Sequence, residues 1–309
     1  MNEEMKLRDP WLVAVWPGMG QVALAAGYYL MAKLGMTALA ELSARELFDV
    51  EHVEVKGGLI QPGRMPRNQF FVFRAPDRAH DIVLFIGEAQ PPLGKYAFCR
   101  KLIDYARELG VKRVFTYAAM ATQMHPERDS RVFAAATDEE TLAELKRLEL
   151  TPLDDGHIGG LNGLLLGAAA DAGLRGACLL GEIPHIFAQV PFPKASLAVL
   201  RVFATMAGLE IDFSELAEQA STIEQQLGQI LAQVEEQMGR QYEPESEPFQ
   251  PEPAQEAGLS REDAQHIELL FEQAAHDRSK AYELKRELDR LNQFASYEDR
   301  FLDLFRKPE

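Results

Sequence analysis

Three short patterns hold residue types and spacings that could do chemistry. The first is Gly18-x-Gly20-x-x-Ala23, which follows an apolar run and opens a helical pattern, with Glu41 at the end of the next candidate strand. Glycines at such a turn allow a tight reversal and close approach of a pyrophosphate to helix N–H groups. An acidic residue one strand later would then take the ribose hydroxyls, the outline of a dinucleotide fingerprint. Pro17 stands directly before it, and a strand-to-helix turn often needs glycine for backbone reasons alone. The second pattern is the glycine-dense run from Asp154 to Gly163, just before the apolar helical stretch Leu164 to Ala170. Backbone N–H groups there would hold an anion while His157 and Asn162 orient a polar ligand. Alternatively, the glycines let the helix pack closely on a sheet and Asn162 acts as its cap. The third is Glu182-Ile183-Pro184-His185, which follows the strand candidate ending at Leu180, with Glu88 in a comparable place beyond Ile86. The carboxyl ends of strands line a crevice, where two carboxylates and two histidines would converge for acid–base work or a divalent metal.

These residues stop short of a complete catalytic constellation. The histidines lack a short ligand spacing, and no serine sits in a Gly-x-Ser-x-Gly elbow. Cys99 and Cys178 lie in apolar surroundings and read as buried small hydrophobes. No catalytic residue, metal ligand or cofactor is therefore expected. The candidate ligand-binding set is Gly18, Met19, Gly20, Glu88, Gly156, His157, Asn162, Glu182 and His185.

The elements that must position them are legible for about the first 200 residues as short Val-, Ile- and Phe-rich runs alternating with helical patterns, the signature of a layered α/β domain. Strands are expected at Trp11 to Trp16, Thr37 to Glu41, His52 to Val55, Gln69 to Phe73, Ile82 to Ile86, Arg113 to Ala118, Arg131 to Ala135 and Gly176 to Leu180. Helices are expected near Gln21 to Leu34, Lys95 to Leu109, Glu139 to Arg147, Leu161 to Ala172 and Ala195 to Met206. The run from Glu51 to Phe73 holds glycine and proline turns but no helix, so the sheet should be mixed, with an antiparallel excursion.

Asp212 or Ser214 then caps a long helix to about Arg240, with Leu216, Ala220, Ile223, Leu227, Ile230, Val234 and Met238 spaced by threes and fours as one stripe. Residues 241–259 interleave prolines with glutamates and read as an extended, self-repelling linker. From Ser260 and Asp263 a further helix is expected to about Phe294, with Ile267, Leu270, Phe271, Ala274, Tyr282, Leu288 and Leu291 on one face. This helical tail, 260–309, is small for an independent core and should dock on the main domain, a neighbouring subunit or another protein.

Composition sets the outer bounds. The chain has 309 residues, 47% apolar and 26% charged, with 32 Lys and Arg against 48 Asp and Glu for a net charge of −16. Such a molecule repels phosphate backbones and anionic membranes, so nucleic acid and membrane partners are excluded. Two cysteines make neither a disulfide framework nor a thiolate zinc cluster, which points to the cytoplasm. The uncharged stretch Pro10 to Ala32 is broken by Pro17-Gly18-Met19-Gly20, leaving apolar runs too short to cross about 30 Å of hydrocarbon. It reads as a buried strand, a tight turn and a buried helix.

Over about residues 10 to 240 the sequence resembles the proteasome assembly chaperone 2 family. The carriers are Trp16-Pro17-Gly18-Met19-Gly20, Ala40-Glu41 with Phe48-Asp49, Gly156-His157-Ile158-Gly159-Gly160-Leu161-Asn162-Gly163-Leu164-Leu165-Leu166, Leu179-Leu180-Gly181-Glu182-Ile183-Pro184, and Ala195 to Leu200 leading to Ile211-Asp212-Phe213. The resemblance implies a three-layer α/β/α sandwich with a mixed, mostly parallel sheet, similar to nucleoside phosphorylases and peptidyl-hydrolase-like folds, followed here by the C-terminal helices. It also implies self-association into dimers, trimers or higher rings, and in some members help in assembling other complexes. It implies no established reaction, and the metal-binding acids and phosphate-binding lysines of ATP-grasp ligases are missing. The closing Lys307-Pro308-Glu309 departs from the hydrophobic-Tyr-x tail of relatives that resemble proteasome activators. The expected function is a non-enzymatic, self-associating scaffold or assembly-chaperone-like protein with a protein client. The alternative is a small-molecule binding protein or enzyme, taking a nucleotide or anionic ligand at the glycine-rich turns.

Overall fold

The computed structural model describes residues 6–50, 53–75, 80–153, 155–240, 261–276 and scattered positions between 280 and 304. In chain order these form β1 (Trp11–Val15), α1 (Val22–Lys33), β2 (Thr37–Glu41), β3 (Glu54–Lys56), β4 (Leu59–Gln61), β5 (Asn68–Phe73), β6 (Ile82–Gly87), α2 (Lys95–Glu108) and β7 (Arg113–Thr122). There follow β8 (Val132–Ala136), α3 (Glu139–Arg147), β9 (Thr151–Pro152), α4 (Gly160–Asp171), β10 (Arg175–Pro184), α5 (Pro193–Ala207), α6 (Ser214–Arg240) and α7 (Arg261–His276). The chain divides into two compact units, residues 1–242 and 243–309.

The first unit is built on an eight-stranded sheet of order β2-β5-β6-β1-β7-β10-β8-β9. Its centre is parallel, with β1 paired to β6 and β7, and β7 to β10. Antiparallel pairs flank that centre, β5 with β6 and β2 on one side and β8 with β10 on the other. The region from Glu51 to Phe73 makes the expected antiparallel excursion, and within it β3 and β4 form a separate two-stranded hairpin.

Both faces of the sheet are covered, which is why β1 reads as a continuous apolar run without alternation. Trp11, Val13 and Val15 point to one side, packed with Val22, Ala26 and Leu30 of α1 and with Leu200 and Phe203 of α5. Leu12, Ala14 and Trp16 face the other, against Phe98 and Leu102 of α2 and Leu161 and Leu165 of α4. The α1 helix lies close on β1 at Gly27, where a Cβ would come within 2.6 Å of a Val15 methyl. The two central strands β7 and β10 each run ten residues, carrying the sheet past the ends that the apolar runs predict.

Asp212 starts α6, its Oδ1 accepting the Ser214 N–H at 3.0 Å. Leu216, Ala220 and Leu227 are buried, and Lys194 of α5 pairs with Glu224 at 2.8 Å. The predicted stripe holds only that far: Ile230 is 48% exposed. The side chains of Val234 and Met238 lie outside the described residues. In the second unit, α7 ends at His276, and Ile267, Leu270, Phe271 and Ala274 form a cluster with Leu284 and Leu288. Arg300 caps it, its guanidinium 4.1 Å from the Phe271 ring centroid and paired with Glu268 at 2.6 Å. The predicted linker, Tyr282 and the helix end near Phe294 lie outside the described residues.

Candidate functional site

The carboxyl ends of β1, β7 and β10 open into a crevice of about 610 Å³. Its walls come from the two glycine-rich turns that the sequence marks, and Gly18, Met19, Gly156, His157 and Asn162 all line it. The floor is the end of β7, Ala118 to Ala121, three alanines with Met120 among them.

The first turn is built by backbone conformation. Gly20 and Gln21 both adopt left-handed angles, φ 59° and 50°, so the chain reverses sharply between β1 and α1. The Gly20 N–H donates to the Ala188 carbonyl at 2.8 Å, and its own carbonyl accepts from the Phe192 N–H at 2.9 Å. Gly20 is therefore buried beneath the turn and its N–H is spent inside the protein. Gly18 differs: its backbone is extended at φ −168°, and a Cβ there would meet nothing within 4 Å.

The second turn leads into α4. Gly159 is the N-cap residue and gives no side-chain cap. Gly163 allows the Ile158 carbonyl to approach so closely that a Cβ would lie 2.0 Å from its oxygen. Asn162 is not the cap that the sequence suggests. It stands inside the first turn of α4, 8% exposed, with Oδ1 buried and without a hydrogen-bond partner among the described residues. Gln90 clasps the two turns together, its Nε2 donating to the Pro17 carbonyl and its Oε1 accepting the Leu161 N–H, both at 3.2 Å. Sequence reasoning passed over Gln90, whose position past the end of β6 was its only signal, as it passed over the alanine-rich end of β7, Ala118 to Ala121.

The predicted acidic residues are not brought into this crevice. Glu88 lines a neighbouring cavity of about 490 Å³ with Tyr28, Phe48 and Arg64. Partial burial works to raise its pKa, but hydrogen bonds from Arg64 (2.5 Å) and the Arg67 N–H (3.0 Å) hold it below the usual carboxylate range. Glu182 is buried in a two-pronged pair with Arg131, at 2.8 and 2.6 Å, and accepts the Thr122 hydroxyl at 2.8 Å. The guanidinium depresses its pKa against the opposing effect of burial. His185 sits on a short 3-10 turn with Nδ1 3.2 Å from the Thr122 carbonyl. The four groups thus do not form one cluster: Glu88 lies in the neighbouring cavity, His157 in the crevice, and Glu182 and His185 meet only at Thr122, with Glu88 paired to Arg64 and Arg67 and Glu182 to Arg131. Among the described residues no group of three or more His, Cys, Asp or Glu is placed to hold a metal.

The dinucleotide reading of the first turn is also corrected. Glu41 ends β2, the outer edge strand, which is antiparallel to β5 and separated from β1 by β5 and β6. Glu41 could therefore not reach a ribose held at the Gly18 turn, since that chemistry needs the strand after the turn to lie beside the first. Among the described residues no helix is long and apolar enough to cross a membrane.

Comparison with known proteins adds the following. The sequence model of the PAC2 family matches residues 12–231. An uncharacterized protein of Methanocaldococcus jannaschii, MJ1210, is 28% identical over 243 residues, covering 78% of this chain and 91% of that protein. The crystal structure of Pyrococcus furiosus PbaB, an archaeal proteasome activator, is similar with a TM-score of 0.62 and 28% identity, covering 74% of this chain and 94% of that one. Pyrococcus furiosus PbaA, an archaeal homologue of proteasome-assembly chaperone, gives a TM-score of 0.58 and 27% identity over 77% of this chain and 95% of that one.

Proposed function

Because the chain belongs to the PAC2 family, we propose that it is a self-associating, assembly-chaperone-like scaffold of the cytoplasm that acts by binding a protein client. The observation that carries this reading is the likeness to PbaA and PbaB, which extends over nearly the whole length of both relatives. Two physical features support it. Val55, Leu59 and Ile60 on the β3–β4 hairpin are exposed, Ile60 at 73%. Val55 and Ile60 are directly paired across the hairpin and so share one face, and exposed apolar side chains side by side are a common mark of a contact surface. The carboxylates that sequence reasoning put forward for acid–base work are meanwhile committed to arginines, which suits a protein that binds more than one that transforms.

Native mass spectrometry of the untagged protein, isolated gently from its own host, tests the proposal. A defined oligomer carrying a second protein is the expected result and would supply the client. A protein that stays strictly monomeric and empty in dilute solution overturns the reading.

A further inference from the structure

We infer that the β3–β4 hairpin is a contact between copies of this chain, in which β3 pairs antiparallel with the β3 of a second copy across a two-fold axis at Val55. Two hairpins thereby join into one four-stranded sheet. The inference rests on the self-association reading and names the surface that carries it.

The hairpin lacks the support that such an element needs. Among the described residues β3 and β4 pair with each other and with no strand of the main sheet. Each has three residues, and Val55, Leu59 and Ile60 are all exposed, as are Val50 and Val53 just before them. A lone two-stranded hairpin is marginal in water, and three or more strands are needed for independent stability.

The turn decides which backbone groups face outward. Gly57 and Gly58 both adopt left-handed angles, φ 59° and 81°, so the reversal takes two residues and Lys56 pairs directly with Leu59. In that arrangement Lys56 and Leu59 exchange the ladder hydrogen bonds, and the next pair, Val55 with Ile60, turns its N–H and C=O groups away from the hairpin. Val55 thus offers one donor and one acceptor at the outer edge of β3. On the β4 edge the next outward position after Ile60 is Pro62, which has no N–H to give.

Charge complementarity selects a second copy as the occupant. Pairing about Val55 sets Glu54 opposite Lys56 of the partner subunit and Lys56 opposite the partner subunit's Glu54, the reciprocal pattern of a two-fold contact. Centring the pair on position 54 or 56 would set like charges face to face, so the sequence favours this register. Residues paired directly across strands share a face, so Val55 and Ile60 of both copies form one β-branched row. The whole chain carries −16, whereas Glu54 and Lys56 cancel within the hairpin, which lets two acidic bodies meet there at the least electrostatic cost.

Sedimentation velocity of the full-length protein and of Glu54→Lys and Lys56→Glu, each alone and then mixed in equal amounts, tests this. Each variant alone sets like charges opposite each other and should associate about tenfold more weakly than the wild type. The mixture should recover wild-type association, because the lysines of one variant meet the glutamates of the other, and that recovery also shows both hairpins to be folded. General repulsion predicts the opposite for Glu54→Lys, which takes the net charge from −16 to −14 and would then associate more strongly. A wild type that is monomeric at every concentration overturns this inference together with the self-association reading. A wild-type oligomer overturns this inference alone if either single variant associates as well as the wild type or better, or if the mixture stays as weak as its components.

Discussion

Glu182 is 2% exposed while the side chain of its partner Arg131 is 63% exposed, so the carboxylate has left water and the guanidinium has not. The pair therefore depends on Arg131 reaching in, and removing it strands a buried charge. Arg131→Met should destabilise the protein by about 1–3 kcal/mol at neutral pH. The sign of the pH dependence follows from the depressed pKa of Glu182. Its contribution is present above the ordinary carboxylate value and is lost as pH falls through the lower folded value. In the variant that carboxyl takes a proton more readily, so the deficit should shrink on acidification. Urea unfolding of both proteins at two or more pH values measures it, and a deficit that does not change with pH would assign Arg131 a packing role only. The cysteines make a second residue-scale case. Burial pushes the thiols of Cys99 and Cys178 up to about 12, leaving on the order of one thiolate in ten thousand at pH 8. Both should resist a thiol reagent in the native protein and react once it is unfolded in guanidinium; rapid labelling of the native protein would contradict their burial.

Among the elements, α6 separates what a hydrophobic pattern reports from what packing does. Leu227 and Ile230 fall on the same stripe, yet Leu227 is 4% exposed and Ile230 48%. Leu227→Ala should cost about 2–4 kcal/mol by leaving a cavity, whereas Ile230→Ala should stay within about 0.5 kcal/mol in the dilute protein. Paired denaturation curves decide it, and equal costs would mean that the stripe is covered along its length. The sequence could not separate the two because helical periodicity gives a direction and not the point where the covering surface ends. The central strands and their helices were legible because burial on both faces writes unbroken apolar runs such as Trp11 to Val15. The short β4 and β9 carry too few residues to show a period. The glycine turns were legible as turns, but which glycine faces the crevice and which is buried beneath it was not. That depends on where a Cβ would point, as at Gly18, and on where an N–H is spent, as at Gly20. Glu182 looked like an acid or base because its arginine lies about fifty residues away in sequence, where spacing carries no signal.

On the scale of the whole molecule the two units differ in what they contribute. The two core clusters of the α/β unit draw every member from before residue 228, and the second unit has its own small cluster. Ending the chain after Tyr242 should therefore leave the melting midpoint of the α/β unit within a few degrees, a shift that corresponds to under about 1 kcal/mol. Its effect on assembly is argued from charge. Residues 243–309 hold nine Lys and Arg against seventeen Asp and Glu, so their removal takes the net charge from −16 to −8. Repulsion between two copies scales with the product of their charges and falls to roughly a quarter. If association resides in the α/β unit, which spans the region shared with the PAC2 family, the shortened protein should associate more strongly than the full chain at low salt. At about 0.3 M salt the two should converge, because repulsion is screened over less than about 8 Å. Sedimentation velocity at both salt concentrations measures this. Weaker association of the shortened protein at every salt concentration would instead move the subunit contact into the tail.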